Sequence, residues 1–316
     1  MISAPSGPRV FITGGTGFVG AHLIPLLRPL ASHIAVLSSG RRPALESDVE
    51  YFEVDIRKAD AVRTIMKDLH PDHVYHLAGI STVDESRENL RRTYEVNVTG
   101  ALNLFEAAMQ LPTPPRILNV SSSQVYAASD RPLRENDPIG PENPYAASKA
   151  MAELLVVQYR ERSVGGVITA RPFNHTGPGQ PPNFVLPSIA KQFAEIEAGL
   201  RPPTLTLGNI DIERDFTDVR DVVRAYWMLL TKGRFDEVYN VCSGSLVSLR
   251  DIIELFQQSA GIEVSTTSVA KNLRLKDVPR VCGDPEKLCQ ETGWHPEIPL
   301  KKTVEDLLSY WRRAIM

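Results

Sequence analysis

The chain has 316 residues, too many for one small domain and well suited to one large α/β unit or two coupled lobes. Apolar residues make up 42% of it, enough for a sizeable core and too many for a disordered chain. A formal net charge of −3 lacks the basic excess of a nucleic-acid binder, and no apolar run reaches the roughly 18 residues of a membrane-spanning helix. Met1 to Pro8 is polar and lacks a basic-then-apolar leader pattern. Cys242, Cys282 and Cys289 are scattered without a CxxC, so a reduced, cytoplasmic protein with no metal site is expected.

Short apolar runs alternate with helical periodicity in the first half. Strands are expected at Arg9–Thr13, Ile34–Leu37, Tyr51–Val54, His73–Leu77, Arg116–Val120 and Gly166–Ala170. Helices are expected at Phe18–Leu30, Ala59–Leu69, Leu90–Leu111 and Pro144–Arg162. Strands that read as continuous apolar runs suit a parallel sheet covered on both faces. After Arg171 the texture changes. Pro172 to Pro187 reads as a loop, Pro187–Ala198 and Val219–Thr231 as helices, and Pro202–Phe216 as turn-rich. Val238–Cys242 reads as a buried strand, and Ser248–Ala260 as a helix with a Ser cap and Asp251 in its first turn. The expected fold is α/β: a Rossmann-like doubly wound parallel sheet with a smaller mixed α/β C-terminal substrate lobe. The expected division is residues 1–172 for dinucleotide binding and 173–316 for substrate, with about 217–243 returning to the first unit.

Gly14, Gly17 and Gly20 stand at GxxGxxG spacing between the first strand and a helix that begins Phe18-Val19. Such a loop gives a tight turn, close backbone approach to a pyrophosphate and a helix N-terminus facing the anion. Pro25 and Pro29 should kink that helix or end it early. The second strand runs into Ser38-Ser39-Gly40-Arg41-Arg42 with no acid before Glu46. Hydroxyls and guanidinium groups there would accept a 2′-phosphate that a carboxylate would repel, which favours NADP(H) over NAD(H). Solvated loop arginines are the plainer alternative. Asp55-Ile56 would meet the adenine, or Asp55 would cap a helix.

Tyr145 and Lys149 lie one helical turn apart on one face. Neighbours at that spacing interact by about 3–4 kcal/mol at an effective dielectric near 20, which would draw the phenol pKa from about 10 toward neutrality. Val120-Ser121-Ser122-Ser123 can bring a hydroxyl to the same substrate oxygen.

Together these motifs resemble the extended short-chain dehydrogenase/reductases, in the branch that modifies nucleotide sugars. The resemblance spans nearly the whole chain. It includes Leu77-Ala78-Gly79, Asn97-Val-Thr-Gly100, Arg171-Pro-Phe-Asn-His-Thr-Gly-Pro-Gly-Gln180, Arg214-Asp-Phe-Thr-Asp-Val-Arg-Asp221 and Tyr239-Asn-Val-Cys-Ser-Gly244. The wording is most similar to the GDP-4-keto-6-deoxy-D-mannose reductases. That resemblance implies Ser122, Tyr145 and Lys149 as the catalytic residues. It implies a cofactor site of Gly14, Gly17, Phe18, Val19, Ser38, Ser39, Arg41, Asp55, Ile56, Leu77, Ala78, Gly79, Asn97, Val120, Lys149 and Pro172. It implies a GDP-linked sugar held by Ser81, Ser123, Gln124, Asn174, Val185, Lys191, Arg214, Arg274 and Asp277. Leu275 and Asp277 depart from the branch's RPxE segment, which weakens the guanosine contacts there. It also implies a homodimer through a four-helix bundle built on the helices near Leu90–Leu111 and Ala147–Tyr159.

The reaction then turns on the position two after Ser122. A 4,6-dehydratase carries a general base there, usually Glu, and Gln124 cannot act as one. The reductases often keep that Glu too, but reduction does not require it. A 4-epimerase would use the same Ser, Tyr and Lys, but generally with tightly held NAD. The expected reaction is NADPH-dependent reduction of the C4 keto group of GDP-4-keto-6-deoxy-D-mannose to GDP-D-rhamnose or its C4 epimer. Epimerase, dehydratase and an idle NADP-binding regulator are the alternatives. His73 and His76 should point to opposite strand faces as structural residues, Cys282 and Cys289 should be inert, and Ser81 to Arg87 should form a loop where Ser81 or Ser86 meets the substrate.

Overall fold

A computed structural model describes residues 7–40, 48–160, 166–268 and 278–315. In its first half the described elements are β1 (Arg9–Thr13), α1 (Phe18–Leu27), β2 (His33–Ser38), β3 (Glu50–Glu53), α2 (Ala59–Leu69), β4 (His73–His76), α3 (Val83–Glu88) and α4 (Leu90–Tyr94). A π-helical turn (Glu95–Thr99) joins α4 to α5 (Gly100–Met109), followed by β5 (Arg116–Val120), a 3₁₀ turn (Ser123–Val125), α6 (Pro144–Arg160) and β6 (Val167–Pro172). Then come β7 (Asn174–Thr176), α7 (Val185–Glu197), β8 (Thr204–Leu207), β9 (Glu213–Asp218), α8 (Val219–Lys232), β10 (Val238–Val241), β11 (Leu246–Ser248) and α9 (Leu249–Ala260). The last are β12 (Ser265–Ser268), β13 (Arg280–Val281), α10 (Glu286–Thr292) and α11 (Leu300–Ile315).

Seven strands make one parallel sheet in the order β10-β6-β5-β4-β1-β2-β3. Successive side chains leave opposite faces, and both faces are packed. Val10 and Ile12 meet Leu23 and Leu27 of α1 and Val222 and Leu229 of α8. Phe11 meets the other cluster, with Val62 and Met66 of α2, Leu104 of α5 and Val156 of α6. This two-sided burial is why the strands read as apolar runs rather than as alternation. The chain runs outward from β1 through β2 and β3, then returns to start β4 on the other side of β1. Ligands of such sheets bind at that reversal, beyond the carboxyl ends of the strands.

A second core joins α7, α9 and α11 through Phe193, Phe256, Leu307 and Leu308, with the Phe193 and Phe256 rings stacked at 5.5 Å. Ser248 and Asp251 form a reciprocal capping box on α9, as their spacing suggests.

Several elements differ from their expected bounds. α1 stops at Leu27, because Pro29 cannot continue the backbone ladder. The stretch near Leu90–Leu111 is interrupted by the π turn, which carries Asn97 into the interior. Ser81 to Arg87 is largely helical, since Thr82 accepts from the Glu85 N–H and starts α3. Pro202–Phe216 holds β8 and most of β9, whose partners β12, β7, β11 and β13 lie far away in sequence.

Gly14 sits at the reversal with φ +70°, and a Cβ there would stand 2.7 Å from the Ala78 backbone. Gly14→Ala should therefore destabilise the protein by at least about 1–2 kcal/mol from the left-handed backbone alone. Urea unfolding measures this; an unchanged midpoint would contradict the close approach.

Candidate active site

The end of β1 forms a glycine-rich cradle that opens toward the start of α1. Gly17 is the residue before α1, with no side chain capping the helix and no acid in its first turn. The first N–H groups of α1 and its dipole are thus available to an anion. Gly20 packs tightly enough that a Cβ would lie 2.1 Å from the Gly15 carbonyl oxygen. Phe18 and Val19 are half-buried on the first turn. The Phe18 ring lies parallel to His175 at 6.3 Å, and His22 Nε2 meets the Pro178 carbonyl at 2.8 Å, so α1 is tied to β7 and the turn after it.

The Ser38 hydroxyl is 2.5 Å from that of Thr16 and accepts the Gly40 N–H, beside an exposed Ser39. No carboxylate occurs at 38–40. Arg41 lies outside the described residues. Asp55 is held by the Arg57 guanidinium at 2.6 Å, which keeps its carboxyl below its usual range. Lys58, not Asp55, precedes the first turn of α2, so the helix-capping alternative fails; Ile56 is buried. Leu77 and Ala78 follow β4 and donate to the Thr13 carbonyl and hydroxyl. Asn97 clamps the next residues: Oδ1 accepts the Ile80 N–H at 2.8 Å, and Nδ2 donates to the Ile80 carbonyl and to Ser148 of α6. Its side chain thus holds the Gly79 loop against the α6 helix.

β5 ends at Val120 and delivers Ser122, whose Oγ accepts the Gln124 N–H at 3.2 Å. α6 starts sharply, because Asn143 accepts the Ala146 N–H at 2.9 Å and Pro144 fits the first helical turn. Helical spacing then stacks Tyr145 and Lys149. Ser122, Tyr145 and Lys149 are all buried, and the Ser122 hydroxyl is near enough to act on the Tyr145 phenol. Lys149 Nζ donates to the Val120 carbonyl at 2.8 Å and stands 3.3 Å from the place of a Cβ on Gly79. The structure thus gathers Ser122, Tyr145, Lys149, Val120, Gly79 and Asn97 at the reversal.

One expectation is overturned. Burial pushes the Tyr145 phenol up, and the Ser122 contact offsets this only in part. The ammonium is aimed at the Val120 carbonyl, so it does not draw the phenol toward neutrality. Burial brings Lys149 itself down to about 8, with Glu153 pulling the other way. Burial, then the Lys149 charge, pushes His76 down to about 3, which leaves it neutral against Thr13. A protonated phenol held by a hydroxyl is equipped to donate a proton.

Toward the lobe, Ser123 is buried and Gln124 exposed, its Oε1 accepting from Asn143 at 3.0 Å. Pro172 ends β6, buried beside Val241. Asn174 is exposed on β7, which pairs with β9, the strand of Arg214. Arg214 Nη1 donates to the Glu213 and Pro279 carbonyls. Val185 is exposed at the start of α7, so it is not core. Lys191 lies near Glu195 at 3.5 Å and over the Trp311 ring. Ser81 is exposed, whereas Ser86 is fully buried and donates to the Val83 carbonyl, which removes it from any substrate contact. Arg274 and Asp277 lie outside the described residues. Cys282 is buried, and burial together with Asp215 pushes its thiol up to about 11, while burial also raises Cys289.

Sequence reasoning missed Asn143, although Asn before Pro is a helix-start signal. It also missed Glu153 opposite Arg171 and Tyr226 of α8. The buried Tyr226 hydroxyl has no hydrogen-bond partner among the described residues, and burial, with Tyr145 nearby, pushes its phenol up. No local pattern marks these.

A family model described as GDP-mannose 4,6 dehydratase matches residues 11–307. The chain belongs to this family. Within the GDP-mannose 4,6 dehydratase family it is similar to the GDP-6-deoxy-D-mannose reductase of Pseudomonas aeruginosa, at 37% identity over 97% of this chain and 98% of that protein. The solved structure of RMD from Pseudomonas aeruginosa complexed with NADPH superposes with a TM-score of 0.85 at 36% identity, covering 97% of this chain and 99% of that one. A GDP-6-deoxy-D-talose 4-dehydrogenase of Aggregatibacter actinomycetemcomitans is 29% identical over 90% of this chain and 91% of its own. The chain is therefore an enzyme of the oxidoreductase-type short-chain dehydrogenase/reductases.

Tyr145→Phe should lower kcat by about 10²–10⁴ while NADPH binding, followed by cofactor fluorescence, persists. With Lys149 at about 8, its ammonium is present at neutral pH and lost above. Turnover should accordingly fall as pH rises through that value; a pH profile flat well beyond it would contradict the charged role.

Proposed function

We propose that this enzyme uses NADPH to reduce the C4 keto group of a GDP-linked 4-keto-6-deoxyhexose. The observation that carries the reading is the buried Tyr145 phenol, one turn from Lys149 on α6 and beside Ser122, at the mouth of a glycine-turned cradle. The full-length similarity to a GDP-6-deoxy-D-mannose reductase supports the substrate class. Gln124 supports reduction over dehydration, because an amide cannot remove a C5 proton.

The residues present fit a dinucleotide: a glycine turn no Cβ could share with Ala78, an uncapped helix start, and no acid at 38–40 to repel a 2′-phosphate. Gly14, Gly17, Phe18 and Val19 would hold the pyrophosphate, with Ser38 and Ser39 toward the 2′-phosphate and Asp55 and Ile56 toward the adenine. Leu77, Ala78, Gly79, Val120 and Pro172 would wall the nicotinamide end, and Lys149 would meet its ribose. Bound NADPH supplies the hydride. Ser122 donates a hydrogen bond that fixes the C4 oxygen, and Tyr145 gives that oxygen its proton. Asn174 and Arg214 would face the diphosphate, a guanidinium suiting two phosphates by its forked geometry. Ser81, Ser123, Gln124, Val185 and Lys191 would line the sugar side.

Mixing the enzyme with NADPH and a GDP-4-keto-6-deoxyhexose should oxidise one NADPH per sugar reduced, read by absorbance. Interconversion of C4 epimers without NADPH loss would replace the reading with an epimerase.

We also infer a cytoplasmic homodimer. Three free cysteines accord with a reducing compartment, and no helix among the described residues is long and apolar enough to cross a membrane. Met151, Leu154 and Val157 recur every third residue along α6 at 47%, 64% and 48% exposed, with Leu90 of α4 at 49%. A stripe of that kind supports pairing of equivalent faces across a two-fold axis. Leu154→Glu should convert a dimer to a monomer in light scattering; a monomeric unaltered enzyme would end the dimer reading.

A further inference from the structure

Two amide side chains meet beside the Ser122 turn. Gln124 stands in the 3₁₀ turn Ser123–Val125, and Asn143 is the residue before α6. The chain between them folds back on itself: the Ala127 N–H donates to the Pro138 carbonyl and the Gly140 N–H to the Val125 carbonyl, both at 2.9 Å. Asn143 is half-buried, and both ends of its amide are engaged. Oδ1 accepts the Ala146 N–H at 2.9 Å, one of the donors that the helix start leaves without a helical partner. Nδ2 therefore points the other way, where it donates to Gln124 Oε1 at 3.0 Å. A primary amide has one accepting end and one donating end, so the helix start orients Asn143 and Asn143 orients Gln124. Gln124 is exposed, and its Nε2 makes no hydrogen bond among the described residues. Its main chain works in the same sense. The Gln124 N–H donates to Ser122 Oγ at 3.2 Å, which fills an acceptor position of that hydroxyl and leaves its proton to be donated.

We propose that Asn143 is a positioning residue that holds Gln124 as a hydrogen-bond donor toward the sugar, so that the site selects an oxygen acceptor beside C4. This deepens the proposed reduction and rests on it. Ser122 donates to the ketone oxygen, which can only accept. Gln124 Nε2 donates to an oxygen on a neighbouring sugar carbon. Neither Gln124 nor Asn143 carries a charge or moves a proton, so their effect falls on sugar binding rather than on the transfer step.

The test is a double-variant cycle in KM for a GDP-4-keto-6-deoxyhexose, with kcat, NADPH binding and melting temperature measured alongside. Asn143→Asp keeps an oxygen for the Ala146 N–H and suits a helix N-terminus. Its second oxygen only accepts, so it turns the Gln124 amide round and presents Oε1 to the sugar. KM should rise about 10-fold, with kcat within about 3-fold and the melting temperature held. Gln124→Met removes the donor and should raise KM by about the same factor. Asn143→Ser caps the helix but is too short to reach Gln124, and should raise KM by about 3-fold. In the Gln124→Met background neither change at Asn143 should add anything, because no amide is left to orient. A full further rise in that background would assign the effect to the new charge or to a disturbed helix start and overturn the proposal. An unchanged KM in Asn143→Asp would overturn it equally. An unaltered enzyme that fails to reduce the keto sugar would instead overturn the proposed function on which the inference rests.

Discussion

Keeping an ammonium charged where water hardly reaches is the constraint around which this site is arranged. Lys149 is buried, and burial alone favours its neutral form. A backbone carbonyl from β5 and a carboxylate one turn along α6 offset that cost. The carboxylate is itself buried and needs Arg171, which is anchored in β6. Each satisfied group thus demands another, and the chain of demands runs from α6 to the neighbouring strands β5 and β6. His76 is held neutral by the same crowding and donates or accepts against Thr13 without adding a second charge.

The sheet order makes this possible. Because the chain reverses between β1 and β4, the loops after β1, β4 and β5 open side by side. Gly14 and Ala78 touch across the gap, and Asn97 fastens the β4 loop to Ser148 on α6. The result is a rigid backbone frame that presents N–H groups on one side and the Ser122–Tyr145 hydroxyls on the other. Little of this precision depends on long flexible side chains, which suits chemistry that requires close placement.

Much of the frame was legible in the sequence, since two-sided burial writes strands as apolar runs and the GxxGxxG glycines mark a turn where a side chain would collide. The Ser122–Tyr145–Lys149 group was legible because two of its members sit on one helix and the third ends a strand. The phenol's ionisation was not legible. The spacing of Tyr145 and Lys149 says that they are neighbours, but not that the ammonium turns toward Val120 or that burial outweighs its field. The Glu153–Arg171 pair was hidden for a related reason: helix and strand meet only in the folded chain. β8 and β9 were read as turns because their partners come from distant segments. Ser86 looked available only while α3 was read as an open loop.

The outer strand β10 and the helix α8 come from the later part of the chain yet complete the large sheet. A fragment ending at β6 would expose the unpaired backbone of that strand and the apolar face that Val222, Tyr226 and Leu229 cover. Such a piece would be sticky rather than soluble. The gene therefore cannot be split at its midpoint to yield a free-standing nucleotide module, and any fusion or circular rearrangement must keep those distant segments together.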